Sequence, residues 1–281
     1  MKKILILLTL LLSAQAALAQ AVPTLLVPAD SRALSMGGVV LPLDMNKQDV
    51  QLFYGSWAPK SVGSTLLGGD AIFRVGSRVA LSVEGRAFMD KPYDIASAQG
   101  QVTGTFRPTD IMAGAGVSFS ISDAFAVGVK ARMVSSAIAQ DAKGSTFCGD
   151  VTAAYTGRIV SASVGVRNLG GKLSYGGNAY ALPTLAAVQA RVEPLAGFTI
   201  GAEVDYLFSG ALMAGLGLEY TIADIVSIRG GYHYGDEAKA LPSFASVGLG
   251  VKFAGVHLDA AFLLASKTLG NTLMVGLGYS F

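Results

Sequence analysis

The last eleven residues, Asn271-Thr272-Leu273-Met274-Val275-Gly276-Leu277-Gly278-Tyr279-Ser280-Phe281, alternate between two kinds of side chain. Large apolar residues occupy every second position, and small or flexible ones stand between them. Because successive side chains of a β-strand point to opposite faces, the stretch predicts a strand with one apolar face and one less bulky face. Similar alternation recurs in the segments 111–119, 198–206 and 245–253.

Composition indicates a membrane protein without spanning helices. Hydrophobic residues make up 52% of the 281 residues and charged residues only 14%. Beyond the first twenty residues, however, no stretch reaches the roughly 18 uninterrupted apolar residues that a spanning helix requires. Since every backbone polar group in lipid must be paired within the protein, a closed β-barrel is the remaining spanning architecture.

The first twenty residues have the features of a secretory signal peptide. Lys2 and Lys3 precede an apolar run from Ile4 to Leu12, and Ala17-Leu18-Ala19 forms a small-residue cleavage site. The chain has 21 basic and 19 acidic residues, and removal of the two lysines balances them. This balance argues against a nucleic-acid partner. From the signal-peptide features, we expect residues 1–20 to be removed on export.

The alternation predicts about fourteen antiparallel strands, although twelve or sixteen remain possible. Connections alternate in length between short turns and longer loops, as in outer-membrane barrels with short periplasmic turns. The strands are predicted near 64–75, 79–88, 97–106, 110–120, 125–136, 146–158, 159–168, 182–192, 197–208, 211–221, 225–234, 243–253, 256–264 and 271–281.

Residues 21–63 are predicted to form an N-terminal plug or hatch, and residues 64–281 the barrel. The first segment contains Pro23, Pro28, Pro42 and Pro59, which disfavour a regular strand. Inward-facing charges of both signs would surround it, either as a lumen stabilised by ion pairs or as a selective polar pathway. The main candidates are Glu84, Arg86, Lys130, Arg132, Glu203, Asp205, Glu219, Arg229, Lys252 and Asp259.

No motif predicts an enzyme, a cofactor site or a metal site. Cys148 is the only cysteine, which excludes an intramolecular disulfide and a cysteine-based metal cluster. His233 and His257 are the only histidines and lie in different predicted strands. A metal site generally needs three or four ligands, so these two histidines give weak grounds for one.

Several ordered motifs resemble the PorV/PorQ family of outer-membrane proteins, which are related to the FadL fatty-acid channels. The resemblance starts at Ser31-Arg32-Ala33-Leu34-Ser35-Met36-Gly37-Gly38 and continues to the end of the chain. The further similar segments are Val166-Arg167-Asn168-Leu169-Gly170, Leu182-Pro183, Gly217-Leu218-Glu219-Tyr220, Arg229-Gly230-Gly231-Tyr232 and Leu258-Asp259-Ala260-Ala261-Phe262.

The resemblance implies a fourteen-stranded barrel with a plug in the outer membrane of a Gram-negative bacterium. Its candidate plug residues are Arg32, Met36, Gly37, Gly38, Tyr54 and Pro59. Two functions remain open: a partner-binding accessory of type IX-like secretion, or a FadL-like channel for hydrophobic molecules. Expected partners are outer-membrane lipid, the barrel assembly machinery, and secretion components or a hydrophobic ligand. The C-terminal Phe281 resembles an assembly signal.

Overall fold

The computed structural model describes residues 20–236, 238–264 and 266–281. No helix in these ranges is long and apolar enough to cross a membrane. Within them lie a 3-10 turn (Pro23–Leu26), one short helix, α1 (Ser31–Ser35), and the strands β1 (Asp49–Trp57), β2 (Ser64–Val75), β3 (Val79–Met89), β4 (Tyr93–Ala96), β5 (Val102–Phe106), β6 (Thr109–Ser120), β7 (Phe125–Ala137), β8 (Lys143–Thr156), β9 (Val160–Gly170), β10 (Lys172–Tyr175), β11 (Asn178–Ala181), β12 (Leu185–Leu195), β13 (Phe198–Leu207), β14 (Ala211–Ile222), β15 (Val226–Gly235), β16 (Phe244–Phe253), β17 (Val256–Leu264) and β18 (Leu273–Ser280).

Fourteen of these strands form a closed antiparallel barrel, which confirms the predicted fold class. The wall runs in chain order, with β3 paired directly to β6 and β9 directly to β12. The first strand, β1, pairs with both β2 and β18 and so closes the ring. Two small hairpins, β4–β5 and β10–β11, lie outside this sheet.

The predicted number of wall strands is right, but only because two errors compensate for each other. Residues 97–106 were expected in the wall, whereas the structure pairs β5 with β4 in a separate hairpin. The wall instead includes β1, which was assigned to the plug. Asp49 and Gln51 alternate with apolar residues at the start of β1, but Phe53 and Trp57 on the same inward face are apolar and interrupt the pattern that identifies the other strands. The barrel therefore begins at Asp49 rather than at residue 64.

The two faces of the wall differ in the way that a membrane barrel requires. Along β1, Leu52 is 68% exposed while the adjacent Phe53 is 5% exposed. The outward positions of the other strands carry mostly exposed Val, Leu, Ile, Phe and Tyr side chains. Such a continuous apolar outer surface suits contact with lipid, while the inward positions bury polar and apolar groups in the lumen.

The two rims of the barrel also differ. At one rim, which we call the short-turn end, the connections 76–78, 121–124, 157–159, 196–197, 223–225 and 254–255 contain two to four residues. The opposite, long-loop end carries both small hairpins. Phe281 lies at the short-turn end with its ring against Phe73 and Tyr279. Its role in assembly stays a prediction.

The closure between β1 and β18 can be tested by cross-linking. Leu52 and Leu277 are register partners across this seam, and antiparallel partners lie within the Cα distance that a disulfide spans. In a Cys148→Ser background, Leu52→Cys with Leu277→Cys should cross-link on mild oxidation, giving a mobility shift on gels. Ile111→Cys with Leu277→Cys should not cross-link. Failure of the first pair would contradict the closure.

Candidate functional site

The N-terminal segment, residues 20–48, runs through the lumen from one rim to the other. At the long-loop end, the Ala21 amide donates to the Ala181 carbonyl (2.9 Å). In the middle, α1 contacts the inner faces of β15, β16, β17 and β18. At the short-turn end, Lys47 pairs with Asp49 (3.6 Å). The segment therefore lies inside the barrel, and its role as a plug stays a prediction.

Inward-facing glycines form the surface on which this segment lies, and we call them the glycine seat. A Cβ added at Gly217 would lie 2.4 Å from the Met36 carbonyl oxygen, and one at Gly231 would lie 2.2 Å from the Gly37 nitrogen. At Gly248 it would lie 2.3 Å from the Ser35 Cβ. The barrel wall and the segment thus make backbone contact that no other residue type permits.

Gly37 fits this contact from the segment's side. Its φ is +72°, a left-handed conformation that favours glycine. A Cβ there would also lie 2.6 Å from the backbone nitrogen of Tyr232. The Gly37 amide donates to Ser246 Oγ (2.9 Å), and the Met36 side chain is fully buried. Met36, Gly37 and the adjacent Gly38 therefore fix the segment to β14–β16.

Arg32 joins the segment to an ion-pair network on the wall. It donates to both Glu219 oxygens (2.6 and 3.0 Å). Glu219 also accepts from Arg229 (2.5 Å), which in turn donates to Asp259 (2.5 Å). His257 continues the chain from Asp259 (2.9 Å) to Asp49 (3.1 Å). The predicted lumen residues Glu219, Arg229 and Asp259 thus come together around Arg32.

A second network crosses β3, β7 and β8. Glu84 pairs with Lys130 (2.7 Å) and with Arg132, and Arg132 also pairs with Asp150. Arg86, on the same face, donates to the Val27 carbonyl of the N-terminal segment (3.2 Å). The predicted residues Glu84, Arg86, Lys130 and Arg132 are therefore close together. Asp150 completes their network.

Asn168 explains the local geometry of the Asn-Leu-Gly and Leu-Pro motifs. It has a φ of +56°, and the pairing of β8 with β9 shifts register beside it. Its amide nitrogen Nδ2 donates to the Pro183 carbonyl (3.0 Å), and its carbonyl accepts from Thr184 Oγ1 (2.8 Å). These bonds connect the C-terminal end of β9 to the start of β12, at the point where the two strands stop pairing.

Glu203 and Asp205 face the lumen from β13, two residues apart. Glu203 accepts from Arg167 Nη2 (2.5 Å), Gln189 Nε2 (3.1 Å) and the Val40 amide (2.5 Å). Asp205 lies beside it. Arg167 and Gln189 were not singled out from the sequence, although their inward positions follow from the alternation. Lys252, the remaining predicted lumen residue, lies apart at the short-turn end.

The half of the lumen toward the long-loop end is apolar. Inward side chains there form one buried cluster with Val22, Val27 and Leu34 of the N-terminal segment. The wall contributes Phe53, Trp57, Leu66, Phe88, Met112, Val134, Leu185, Leu207, Met213, Phe244, Leu263 and Met274. Most of the charged networks lie nearer the short-turn end, while Asp110 and Arg86 lie among the apolar side chains. The lumen is therefore mainly apolar toward the long-loop end, which we call the apolar half, and mainly polar toward the short-turn end, the polar half.

The β10–β11 hairpin covers part of the apolar half at the long-loop end. Leu173 of this hairpin is fully buried in the apolar cluster. Burial raises the pKa of Tyr175, whose hydroxyl donates to Ser136 Oγ (2.6 Å). Ser136 donates to Asp110, which also accepts from Thr24 of the N-terminal segment (2.8 Å). The hairpin and the segment are thus linked through Asp110.

A cavity of about 720 Å³ lies along the N-terminal segment. Its lining includes Leu25, Leu26, Leu185 and Met213 from the apolar half, and it extends to Phe281 at the short-turn end. A second, polar cavity of about 470 Å³ shares Asp30, Arg32, Lys47, Lys252 and Ser280 with it. Together they connect the apolar half with the short-turn end.

Tyr54 and Pro59 do not belong to the plug. Tyr54 is on β1, where the alternation turns its ring outward, and it is 50% exposed. Pro59 lies in the loop after β1, at the long-loop end. Trp57, on the inward face of the same strand, is 7% exposed and belongs to the lumen. Of the six candidate plug residues, only the four from Arg32 to Gly38 lie inside the barrel.

The two histidines lie in separate surroundings. His233 stacks on Phe244 with ring centroids 4.9 Å apart, whereas His257 lies between Asp49 and Asp259. In the described ranges, no group of three or more His, Cys, Asp or Glu side chains is arranged to hold a metal ion. Neither histidine is therefore placed in a metal-binding group.

Several solved structures with a similar fold are described as hydrocarbon channels or toluene transporters. The Ralstonia pickettii toluene transporter TbuX superposes with a TM-score of 0.66 at 11% identity, covering 91% of this chain and 99% of that one. The monoaromatic hydrocarbon channel CymD gives 0.65 at 13% identity, with coverage of 94% and 99%. The chain has a FadL-like barrel fold. The Pseudomonas putida toluene transporter TodX matches this FadL-like barrel with 0.62 at 10% identity, covering 90% and 96%.

Sequence comparison adds nothing to this likeness: neither a protein-family model nor a curated protein matches the chain. At identities of 9 to 13%, the likeness establishes the fold alone. The PorV/PorQ assignment therefore stays a prediction, while the FadL-like part of the resemblance agrees with the structure.

The glycine seat can be tested with two adjacent residues of β15. Gly231→Ala places a methyl group against Met36 and Gly37, whereas at Gly230 the nearest atom to an added Cβ is 3.9 Å away. We expect Gly231→Ala to destabilise the barrel by about 1–3 kcal/mol through overpacking, and to expose the segment to protease. Gly230→Ala should resemble wild type. Equal behaviour of the two variants would contradict the seat.

Proposed function

We propose that this protein is an outer-membrane channel for small hydrophobic molecules. The observation that carries the proposal is the axial division of the lumen: an apolar half at the long-loop end opens into a cavity that reaches the short-turn end. Entry of an apolar molecule into the apolar half is favourable because its surface is transferred out of water. The polar half then favours its release.

The fold supports this proposal, because the similar TbuX, TodX and CymD structures are described as toluene transporters or monoaromatic hydrocarbon channels. In our proposal the protein resides in the outer membrane of a Gram-negative bacterium after signal-peptide removal, with the long-loop end outside. The N-terminal segment acts as the plug, so that apolar molecules pass along it while the ion-paired half restricts free flow of ions. No enzymatic step is required.

Flux through reconstituted barrels tests the proposal. Toluene should enter vesicles containing the protein faster than protein-free vesicles, while chloride permeability stays low. Leu26 lines the cavity from the N-terminal segment and is partly buried. Leu26→Asp should lower toluene flux several-fold because it places a charge in the apolar half. Leu26→Met, the matched control, should leave it unchanged.

Two outcomes would contradict the channel. One is toluene entry no faster than into protein-free vesicles, measured with barrels that show the heat-dependent gel mobility of a folded protein. The other is an equal effect of both Leu26 variants, which would mean that apolar character at this position does not matter for passage.

A role as a partner-binding accessory of envelope secretion is the second candidate. The ordered PorV/PorQ-like motifs support it, and so does the β4–β5 hairpin, which presents Tyr93 and Val102 to solvent (42% and 63% exposed). If it is correct, removing residues 93–106 should abolish cargo export while toluene flux persists. Unchanged export and surface attachment of cargo after deletion of the whole chain would exclude it.

A further inference from the structure

Asp205 lies where the two halves of the lumen meet. The next inward position of β13 toward the long-loop end is Leu207, which is fully buried in the apolar cluster. The next one toward the short-turn end is Glu203. In register with Asp205 stand Ala187 of β12 and Met213 of β14, both buried and apolar. A charged group thus faces an otherwise apolar level of the wall.

One oxygen of the Asp205 carboxyl group has no hydrogen-bond partner in the part of the chain that the structure describes. The residue is 8% exposed, and Oδ1 is buried without a partner. Arg167, a wall cation close enough to act on Asp205, donates instead to Glu203 (2.5 Å). The other inward-facing carboxylates of the described strands each accept at least one side-chain hydrogen bond: Asp49, Asp70, Glu84, Asp110, Asp150, Glu203, Glu219 and Asp259.

A buried carboxyl oxygen without a partner is costly, because it loses its hydration without gaining a hydrogen bond. Buried polar atoms in folded proteins are nearly always paired, so an exception calls for a specific reason. Asp205 lines the 720 Å³ cavity together with Leu185 and Met213. A donor brought by a bound molecule would satisfy the carboxylate while its apolar part contacts these side chains.

We propose that Asp205 is a ligand-recognition residue, and that the ligand is an apolar molecule carrying one hydrogen-bond donor, a hydroxyl or an amine. This rests on the proposed channel function and specifies its substrate class. A carboxylic acid is disfavoured, because Asp205 and Glu203 together would repel it. A metal ion is disfavoured as well, because Glu203 already accepts three hydrogen bonds and, among the described residues, no third ligand side chain joins the pair.

Four probes that share one apolar body test the proposal: phenylpropylamine, phenylpropanol, propylbenzene and phenylpropionate. Calorimetric titration of the full-length barrel in detergent gives their affinities. We expect the amine and the alcohol to bind at least about tenfold more tightly than propylbenzene, as a hydrogen bond to a charged group provides. Phenylpropionate should bind most weakly.

Two substitutions separate charge from hydrogen bonding. Asp205→Leu should reduce the amine and the alcohol to the affinity of propylbenzene. Asp205→Asn keeps an accepting oxygen, so it should weaken the amine more than the alcohol. Met213→Leu is the matched control: it changes the neighbouring apolar wall and should affect all four probes equally. Ligand-free Asp205→Leu should melt no lower than wild type, since no protein donor is lost.

The outcomes distinguish the inference from the channel on which it rests. Binding and flux of propylbenzene equal to those of the amine and alcohol would overturn the role of Asp205 but leave the channel standing. Equal weakening of all four probes in Asp205→Leu, or a lower melting temperature without ligand, would make Asp205 a structural residue. If no probe binds or crosses, the channel itself is wrong.

Discussion

The backbone contact between the N-terminal segment and the barrel wall determines most of the remaining structure. Met36 and Gly37 approach Gly217 and Gly231 so closely that a Cβ on either glycine would overlap them. This contact places α1 where Arg32 can reach Glu219. It also directs the residues before α1 toward the long-loop end, where Val22 and Val27 fill the apolar half. A segment held at a greater distance would make neither interaction.

The ion pairs in the polar half of the lumen fix the position of the N-terminal segment more than they stabilise the fold. Burying charges costs hydration, and a buried ion pair often gains little over well-packed apolar groups. Removing one partner is costly, however, because the other charge is then left uncompensated. The linked chain from Arg32 through Glu219 and Arg229 to Asp259 therefore favours one placement of the segment. The resulting space beside the segment is the cavity on which the proposed transport depends.

Side-chain alternation in the sequence was enough to predict a barrel and the inward faces of most of its strands, whereas the strand number was right only because two errors cancelled. It failed for β1, because the inward face that begins with Asp49 and Gln51 continues with the apolar Phe53 and Trp57. It also could not identify partners across the lumen: alternation predicts that Glu219 points inward, but not that Arg32 meets it. Likewise, Gly217 and Gly231 are visible as small inward residues, while the backbone that covers them depends on the tertiary fold.

Hydrogen–deuterium exchange of the protein in lipid bilayers tests the seated N-terminal segment most directly. The Gly37 amide donates to Ser246 and the Val40 amide to Glu203, so both are removed from solvent. The account predicts that peptides covering residues 33–41 exchange nearly as slowly as those from β13 to β15, because their amides open only when the segment leaves its seat. Exchange of residues 33–41 at the rate of an unprotected peptide, with slow exchange in the strands, would contradict the account.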